Sequence, residues 1–78
     1  MKEYDDVKVI VEKERYAKEG VHKGMVGTIL DPRKINGKWL VVFDGEFKQD
    51  KDGAWYTTDI ECEIAEKDLI VVKEYKGP

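Results

Sequence analysis

The stretch "YAKEGVHKGMVGTIL", from Tyr16 to Leu30, joins a charged loop to an apolar segment. Its first half is polar and contains Gly20 and Gly24, which is typical of a long loop. Its second half, "MVGTIL", is apolar and predicts a strand. Gly27 inside this strand predicts a bulge or a sharp bend, because glycine lets the backbone kink without a Cβ clash. The stretch therefore predicts a strand that follows a long first loop.

Alternation before this stretch predicts another strand. Val7, Val9 and Val11 alternate with other residues at a period of two, as β-branched residues of a strand do. The loop that follows, from Lys13 to Gly24, also fits one short helical turn around Glu14 to Lys18.

The rest of the chain alternates predicted strands with turns. Pro32 and the Asn36-Gly37 pair in "DPRKING" predict a hairpin turn before a third strand, "KWLVVFD". We expect "DGEFKQDKDGA" to be a long hairpin tip. A fourth strand is predicted from Trp55 to Ile64, then a single 3-10 turn at "AEKD" and a short last strand, "LIVV".

Leu40 and Val42 lie opposite the predicted core face of the third strand. We expect the curved sheet itself to cover them. The alternatives are a tip that folds over them through Phe47, or an exposed apolar patch that awaits a partner.

Five short strands in fewer than 80 residues favour closure into a small barrel, which removes the sheet edges. The order of elements resembles an SH3-like barrel, in the style of small bacterial barrels of uncharacterised function and of KOW and Tudor-like modules. The matching residues are Gly24, Gly27, Ile29, Trp39, Val41, Phe43, Asp68 and Leu69. The resemblance implies an all-β fold: a small five-stranded SH3-like barrel with a long first loop and a single 3-10 turn before the last strand. It implies one domain over residues 1–78, with a core from about 7 to 72 and a short flexible tail at 73–78.

Length and composition agree with a single small domain. The chain has 78 residues, of which 41% are hydrophobic and 40% charged. No apolar run approaches the roughly 20 residues of a membrane helix, and "MKEYDDVKV" lacks the apolar stretch of a secretory signal. A single cysteine, Cys62, excludes an internal disulfide, so we expect a cytoplasmic protein without membrane association.

Negative charge is concentrated in one segment. Between Asp44 and Glu63 there are seven acids and two lysines, a net charge of −5, whereas the whole chain carries −3. Because phosphate backbones are bound by lysine and arginine, this balance argues against a nucleic-acid partner. It favours a protein with a basic surface, since acidic surfaces steer basic partners. The predicted partner-binding residues are Asp44, Glu46, Asp59, Glu61, Glu63 and Trp55.

We therefore expect a non-enzymatic protein-binding module with an acidic face. One concrete version is an immunity-type protein that blocks a basic toxin. No nucleophile–base pair or metal-ligand cluster is visible in the sequence, so we expect no catalytic residue, metal or cofactor. His22 is predicted to be an exposed loop residue, and Cys62 a small buried hydrophobe.

Two other functions stay open at this point. The chain resembles KOW and Tudor-like modules, which implies a nucleic-acid or ribosome-associated binding module or a binder of peptides. Such a face would use Tyr16, Lys18, Lys23 and Trp39, with the aromatic rings stacking on bases. The third function is that of a barrel that stabilises a subunit of a larger enzyme.

Overall fold

The computed structural model describes residues 1–77, which form an all-β chain with one helical turn and one 3-10 turn. The elements in chain order are β1 (Asp6–Val9), α1 (Glu14–Ala17), β2 (Val26–Ile29), β3 (Lys38–Phe43), β4 (Phe47–Gln49), β5 (Trp55–Thr57), β6 (Ile60–Ala65), the 3-10 turn (Glu66–Asp68) and β7 (Leu69–Lys73). The predicted helical turn in the first loop is present as α1. The predicted 3-10 turn before the last strand is confirmed.

Five of the strands form one antiparallel sheet in the order β6-β3-β2-β1-β7. The remaining two strands, β4 and β5, pair only with each other. They form a two-stranded ribbon between β3 and β6 in the sequence, which we call the arm (residues 47–57). The described chain thus has two parts, a five-stranded sheet and a separate arm.

The strand count differs from the prediction of five. The predicted hairpin tip contains β4, and the predicted fourth strand is divided into β5 and β6 at Thr58 and Asp59. These two side chains accept hydrogen bonds from the backbone amides of Glu46 and Gly45. Short polar side chains that bind backbone amides compete with a continuous ladder, which is why the strand ends there.

The five-stranded sheet is strongly coiled. Its edge strands, β6 and β7, are consecutive in sequence and are joined by the 3-10 turn alone. The chain from Ala65 to Leu69 spans at most about 14 Å, whereas the edges of a flat five-stranded sheet lie about 19 Å apart. The sheet must therefore curl until its edges approach each other at this turn. Within residues 1–77, β6 and β7 form no ladder, so the sheet is open where a closed barrel was predicted.

The core lies on one side of this sheet. In β3, Trp39, Val41 and Phe43 are buried and alternate with half-buried neighbours, which confirms the predicted inner face. Each such side chain stabilises the fold by roughly 1.5–3 kcal/mol when it leaves water. The buried hydrophobic residues are Val7, Val9, Tyr16, Val21, Ile29, Trp39, Val41, Phe43, Cys62, Ile64 and Leu69.

Gly27 marks a close approach of strands and not the predicted bulge. The β1–β2 ladder pairs Gly27 with Val7 without a register shift. A Cβ at Gly27 would lie 2.6 Å from the carbonyl oxygen of Val42 and 2.7 Å from a methyl carbon of Val41. Only glycine fits here, because β3 occupies the space that a side chain would need.

A polar network fixes the first loop to the 3-10 turn. The hydroxyl of buried Tyr16 donates to Asp68 Oδ2 (2.7 Å) and accepts from the backbone N–H of Ala65 (3.2 Å). Lys13 Nζ donates to the same Asp68 oxygen (2.8 Å). Burial raises the pKa of Asp68, but the hydrogen bonds from Lys13 and Tyr16 outweigh it and lower the pKa overall.

A second buried carboxylate ties the two chain ends together. Asp5 accepts hydrogen bonds from the N–H of Tyr75 (2.9 Å) and from Lys2 Nζ (2.7 Å). The rings of Tyr4 and Tyr75 pack edge to face, with centroids 5.1 Å apart. These contacts hold the chain at Tyr75, and the flexibility predicted for residues 73–78 stays a prediction. Burial raises the pKa of Asp5, but the hydrogen bonds from Lys2 and Tyr75 lower it overall.

Acid should destabilise the fold through these two carboxylates. Their folded-state pKa lies below the ordinary value of 3.8, so the folded chain binds fewer protons than the unfolded chain. Their stabilisation is present above about pH 4 and is lost as the pH falls below it. We expect the urea concentration at the unfolding midpoint to decrease as the pH is lowered below about 4. At neutral pH, Asp68→Asn should lower the free energy of unfolding by about 2 kcal/mol, and the stability of this variant should depend less on acid. If Asp68→Asn kept the full acid sensitivity of the wild type, Asp68 would not contribute to it.

Candidate partner-binding site

The arm presents side chains to solvent on both of its faces. The register pairs are Phe47 with Thr57, Lys48 with Tyr56, and Gln49 with Trp55. All six residues are exposed. Because side chains alternate across a strand, one face holds Phe47, Gln49, Trp55 and Thr57, and the other holds Lys48 and Tyr56. We call the first, uncharged face the aromatic face.

Two rings dominate the aromatic face. Phe47 is 75% exposed and Trp55 is 67% exposed. They occupy diagonal positions of the β4–β5 ladder, roughly 7–8 Å apart at the backbone and within reach of each other's side chains. Large apolar groups left in water mark interaction sites, and tryptophan is enriched among the residues that dominate binding energy. The aromatic face therefore has the composition of an interface core.

The turn of the arm is held by its own side chains. Asp50 Oδ1 accepts hydrogen bonds from the N–H groups of Asp52 (2.9 Å) and Ala54 (3.0 Å). Gly53 has a φ of +88°, in the left-handed region that favours glycine. The side chain of Gln49 donates to the Gly53 carbonyl (3.1 Å). These bonds close the hairpin and bring β4 and β5 into register.

At the base of the arm, the two chain segments that enter and leave it are joined by hydrogen bonds. The N–H of Gly45 donates to Asp59 Oδ1 (2.9 Å), and the N–H of Glu46 donates to Thr58 Oγ1 (2.9 Å). The N–H of Thr58 in turn donates to the Glu46 carbonyl (3.1 Å). A Cβ at Gly45 would overlap the backbone of Thr58, so the two chain segments touch here. We call Gly45, Glu46, Thr58 and Asp59 the hinge.

Unpaired carboxylates lie at the hinge and along β6. Glu61 and Glu63 are exposed on β6, and Asp44 and Glu46 are exposed at the end of β3. Within residues 1–77 none of these four takes part in an ion pair; the carboxylates that pair with lysine or arginine are Asp5, Asp31, Glu66 and Asp68. Arg15 and Lys38 line a cleft together with Glu61 and Glu63, and Arg15 donates a hydrogen bond to the Tyr16 hydroxyl (2.9 Å). We call Asp44, Glu46, Glu61 and Glu63 the acidic surface.

The six residues predicted to bind a partner thus do not all have the same role. The acidic surface and Trp55 are exposed: Trp55 lies on the arm, Asp44 and Glu46 lie next to or in the hinge, and Glu61 and Glu63 lie along β6. Asp59 is also exposed, but one of its carboxylate oxygens is committed to the Gly45 amide. Asp59 therefore carries a negative charge and also joins the two segments at the base of the arm.

Leu40 and Val42 are half-buried on the outer face of β3. Phe47 is too exposed to cover them. The alternative in which the tip folds over these residues with Phe47 as the contact does not fit, because 75% of Phe47 is exposed.

The predicted nucleic-acid face lacks its aromatic rings. Tyr16 is 1% exposed and Trp39 is 6% exposed, and both belong to the core. Lys18 and Lys23 are exposed on the first loop. Base stacking needs an open ring face, so Tyr16 and Trp39 cannot serve it, and the structure corrects their predicted role.

His22 and Cys62 occupy the environments that the sequence predicted. His22 is exposed, with its Nδ1 2.9 Å from Glu12 Oε2. Cys62 is buried in the core, and burial raises the pKa of its thiol, which disfavours the nucleophilic thiolate. In the described part of the chain, no group of three or more His, Cys, Asp or Glu side chains is arranged to hold a metal ion.

Sequence reasoning missed Phe47 and Tyr56 as residues of an exposed ribbon. The usable signal was the pair of short segments "EFKQ" and "WYTT" on either side of "DKDG". A segment with aspartate and glycine between two such runs is typical of a hairpin. Because the whole of "DGEFKQDKDGA" is predicted as a hairpin tip, β4 is not predicted as a strand.

Comparisons of the chain with protein-family models, curated proteins and solved structures found no match. Over residues 1–77, no helix has the length and apolar character needed to span a bilayer. The function has to be inferred from the chain's own residues and their arrangement.

Proposed function

We propose that this chain is a non-enzymatic protein-binding module that engages a basic partner through the arm and the acidic surface. The observation that carries the proposal is the aromatic face, on which Phe47 and Trp55 are both largely exposed. Aromatic residues are enriched in the buried centres of protein interfaces, whereas isolated exposed hydrophobes are usually smaller and scattered. Two large rings on one face of a separate ribbon support a contact surface.

The two parts of the site have different tasks in this proposal. The uncharged aromatic face supplies most of the binding energy, since its rings leave water when they enter a pocket of the partner. The acidic surface speeds the approach of a basic partner, because within residues 1–77 its carboxylates form no ion pair. Loss of the rings should therefore act mainly on dissociation, and loss of the charges mainly on association.

We also propose that the fold is related to SH3-like barrels. The five-stranded antiparallel order, the long first loop, the 3-10 turn before the last strand and the coiling of the sheet support this relation. Such barrels bind peptides, nucleic acids and proteins, so the fold does not select the partner. The most concrete form of the proposal is an immunity-type protein whose arm enters a cleft of a basic toxin.

Charge reversal on the acidic surface tests this proposal. The immobilised wild-type chain is first used to retain a basic protein from a lysate of the source organism at low salt. For Glu61→Lys combined with Glu63→Lys, we expect the association rate with this protein to fall about tenfold, with little change in dissociation.

The control pair is Glu14→Lys combined with Glu74→Lys, which makes the same change in net charge at exposed positions outside the acidic surface. Its association rate should stay close to that of the wild type. Equal losses in the two pairs, or a retained partner whose binding does not depend on salt, would contradict the proposal.

A further inference from the structure

The direction of the arm relative to the sheet depends on the hinge. Neither β4 nor β5 pairs with any strand of the five-stranded sheet, and their side chains are exposed on both faces. An isolated two-stranded hairpin is only marginally stable in water. The contacts that orient the arm are those of the hinge: the backbone bond from the Thr58 N–H to the Glu46 carbonyl, and the side-chain bonds of Asp59 and Thr58 to the amides of Gly45 and Glu46.

We infer that Asp59 is a positioning residue, which holds the arm through its hydrogen bond to the Gly45 amide and does not itself bind the partner. This inference rests on the proposed function of the arm, and it gives Asp59 a role that differs from that of Glu61 and Glu63. Asp59 positions the arm through an oxygen that accepts a hydrogen bond, whereas Glu61 and Glu63 attract the partner through their negative charge.

A fixed arm binds more tightly than a mobile one. If the arm moves freely, its ordering has to be completed on binding, and that conformational entropy is subtracted from the affinity. A carboxylate that accepts an amide hydrogen bond at the hinge removes part of this cost before the partner arrives. The close packing of Gly45 against Thr58 acts in the same direction, because it leaves little room for the hinge to open.

Two replacements of Asp59 separate the acceptor from the charge. Asp59→Asn keeps an acceptor oxygen and removes the charge, whereas Asp59→Ala removes both. In the free protein, we expect the ¹⁵N heteronuclear NOE of the arm amides to fall in Asp59→Ala and to stay near the wild-type values in Asp59→Asn. Glu61→Gln removes a charge from the next exposed acid and should leave the arm unchanged. Arm amides that stay as ordered in Asp59→Ala as in the wild type would overturn the inference.

Variants of Thr58 complete the test, because the bond from the Thr58 hydroxyl to the Glu46 amide could keep the arm ordered after the Asp59 bond is lost. Thr58→Val combined with Asp59→Ala removes both side-chain acceptors, and Thr58→Ser combined with Asp59→Asn retains both. We expect the first pair to release the arm and the second to keep it ordered. The urea midpoint of the sheet should be similar in the two pairs, because neither residue belongs to the core.

Binding to the basic protein retained by the wild-type chain gives the second readout. We expect Asp59→Ala to weaken binding on the order of tenfold, and Asp59→Asn to remain within about twofold of the wild type. Equal losses in the two variants would mean that the charge acts directly, which overturns the positioning role. If no basic protein depends on the arm, the proposed function fails, while the NOE measurement on the free protein still decides whether Asp59 holds the arm.

Discussion

Replacing Phe47 and Trp55 together with serine is expected to weaken partner binding at least about 100-fold. Both rings are exposed in the free chain, so their removal should not lower the free energy of unfolding appreciably. In the complex, however, each ring would occupy a water-free pocket of the partner, and truncation of such an anchor costs about 2 kcal/mol or more. Isothermal titration with the captured basic protein measures the loss, which should appear mainly as faster dissociation.

The control for this pair is Ile35→Ser, which removes a large side chain that is 55% exposed outside the arm. It should bind within about threefold of the wild type, because rim or remote contacts contribute little. If the arm variant bound as tightly as Ile35→Ser, the aromatic face would not be the contact surface.

Replacing Gly27 with alanine is expected to have the largest effect on folding. The added methyl group would collide with the carbonyl oxygen of Val42 and with the side chains of Val41 and Phe43. A backbone atom cannot rotate away as a flexible side chain can, so β2 and β3 would have to separate and disturb the core. We expect a cost of about 3 kcal/mol, which lowers the melting temperature by about 12 °C or more in a domain of this size.

Val26→Ala is the matched change on the same strand. Val26 is exposed, so removing part of its side chain should cost less than about 1 kcal/mol. Thermal unfolding followed by circular dichroism compares the two variants. A Gly27→Ala protein as stable as Val26→Ala would show that the strands can move apart at little cost, contrary to the close approach described at this position.

The five-stranded sheet was largely predictable from the sequence, because its signals are local. The alternation of Trp39, Val41 and Phe43 with less buried residues fixes the inner face of β3. The turn before Leu69 and the long first loop are also marked by their own residues. The glycine at position 27 indicated a special backbone position, but the sequence did not show why glycine is needed there. A glycine within a strand is expected both at a bulge and where another strand approaches closely.

The arm was harder to predict because its boundary is set by tertiary contacts. The alternation from Trp55 to Ile64 continues through Thr58 and Asp59, so local pattern alone predicts one strand. The interruption comes from bonds to the amides of Gly45 and Glu46, which lie more than ten residues earlier in the chain. In the same way, Tyr16 resembles a surface aromatic in its charged loop, and only its bond to Asp68 across the fold explains its burial.

The burial of Tyr16 and Trp39 argues against nucleic-acid binding through these two rings. The rings that would stack on bases lie in the core, while two largely exposed rings, Phe47 and Trp55, lie on the arm. Nucleic-acid binding is driven largely by phosphate contacts to lysine and arginine, whereas the segment from Asp44 to Glu63 has seven acids and only two lysines. This distribution is the reason for proposing a basic protein and not a nucleic acid as the partner.

We propose that the arm is the surface that meets the partner. Amide signals of the ¹⁵N-labelled chain, recorded with and without the captured basic protein, test it most directly. We predict that the largest changes fall on the arm and the hinge, with smaller changes at Glu61 and Glu63. Changes confined to the first loop or to β7, with the arm signals unaltered, would contradict the claim.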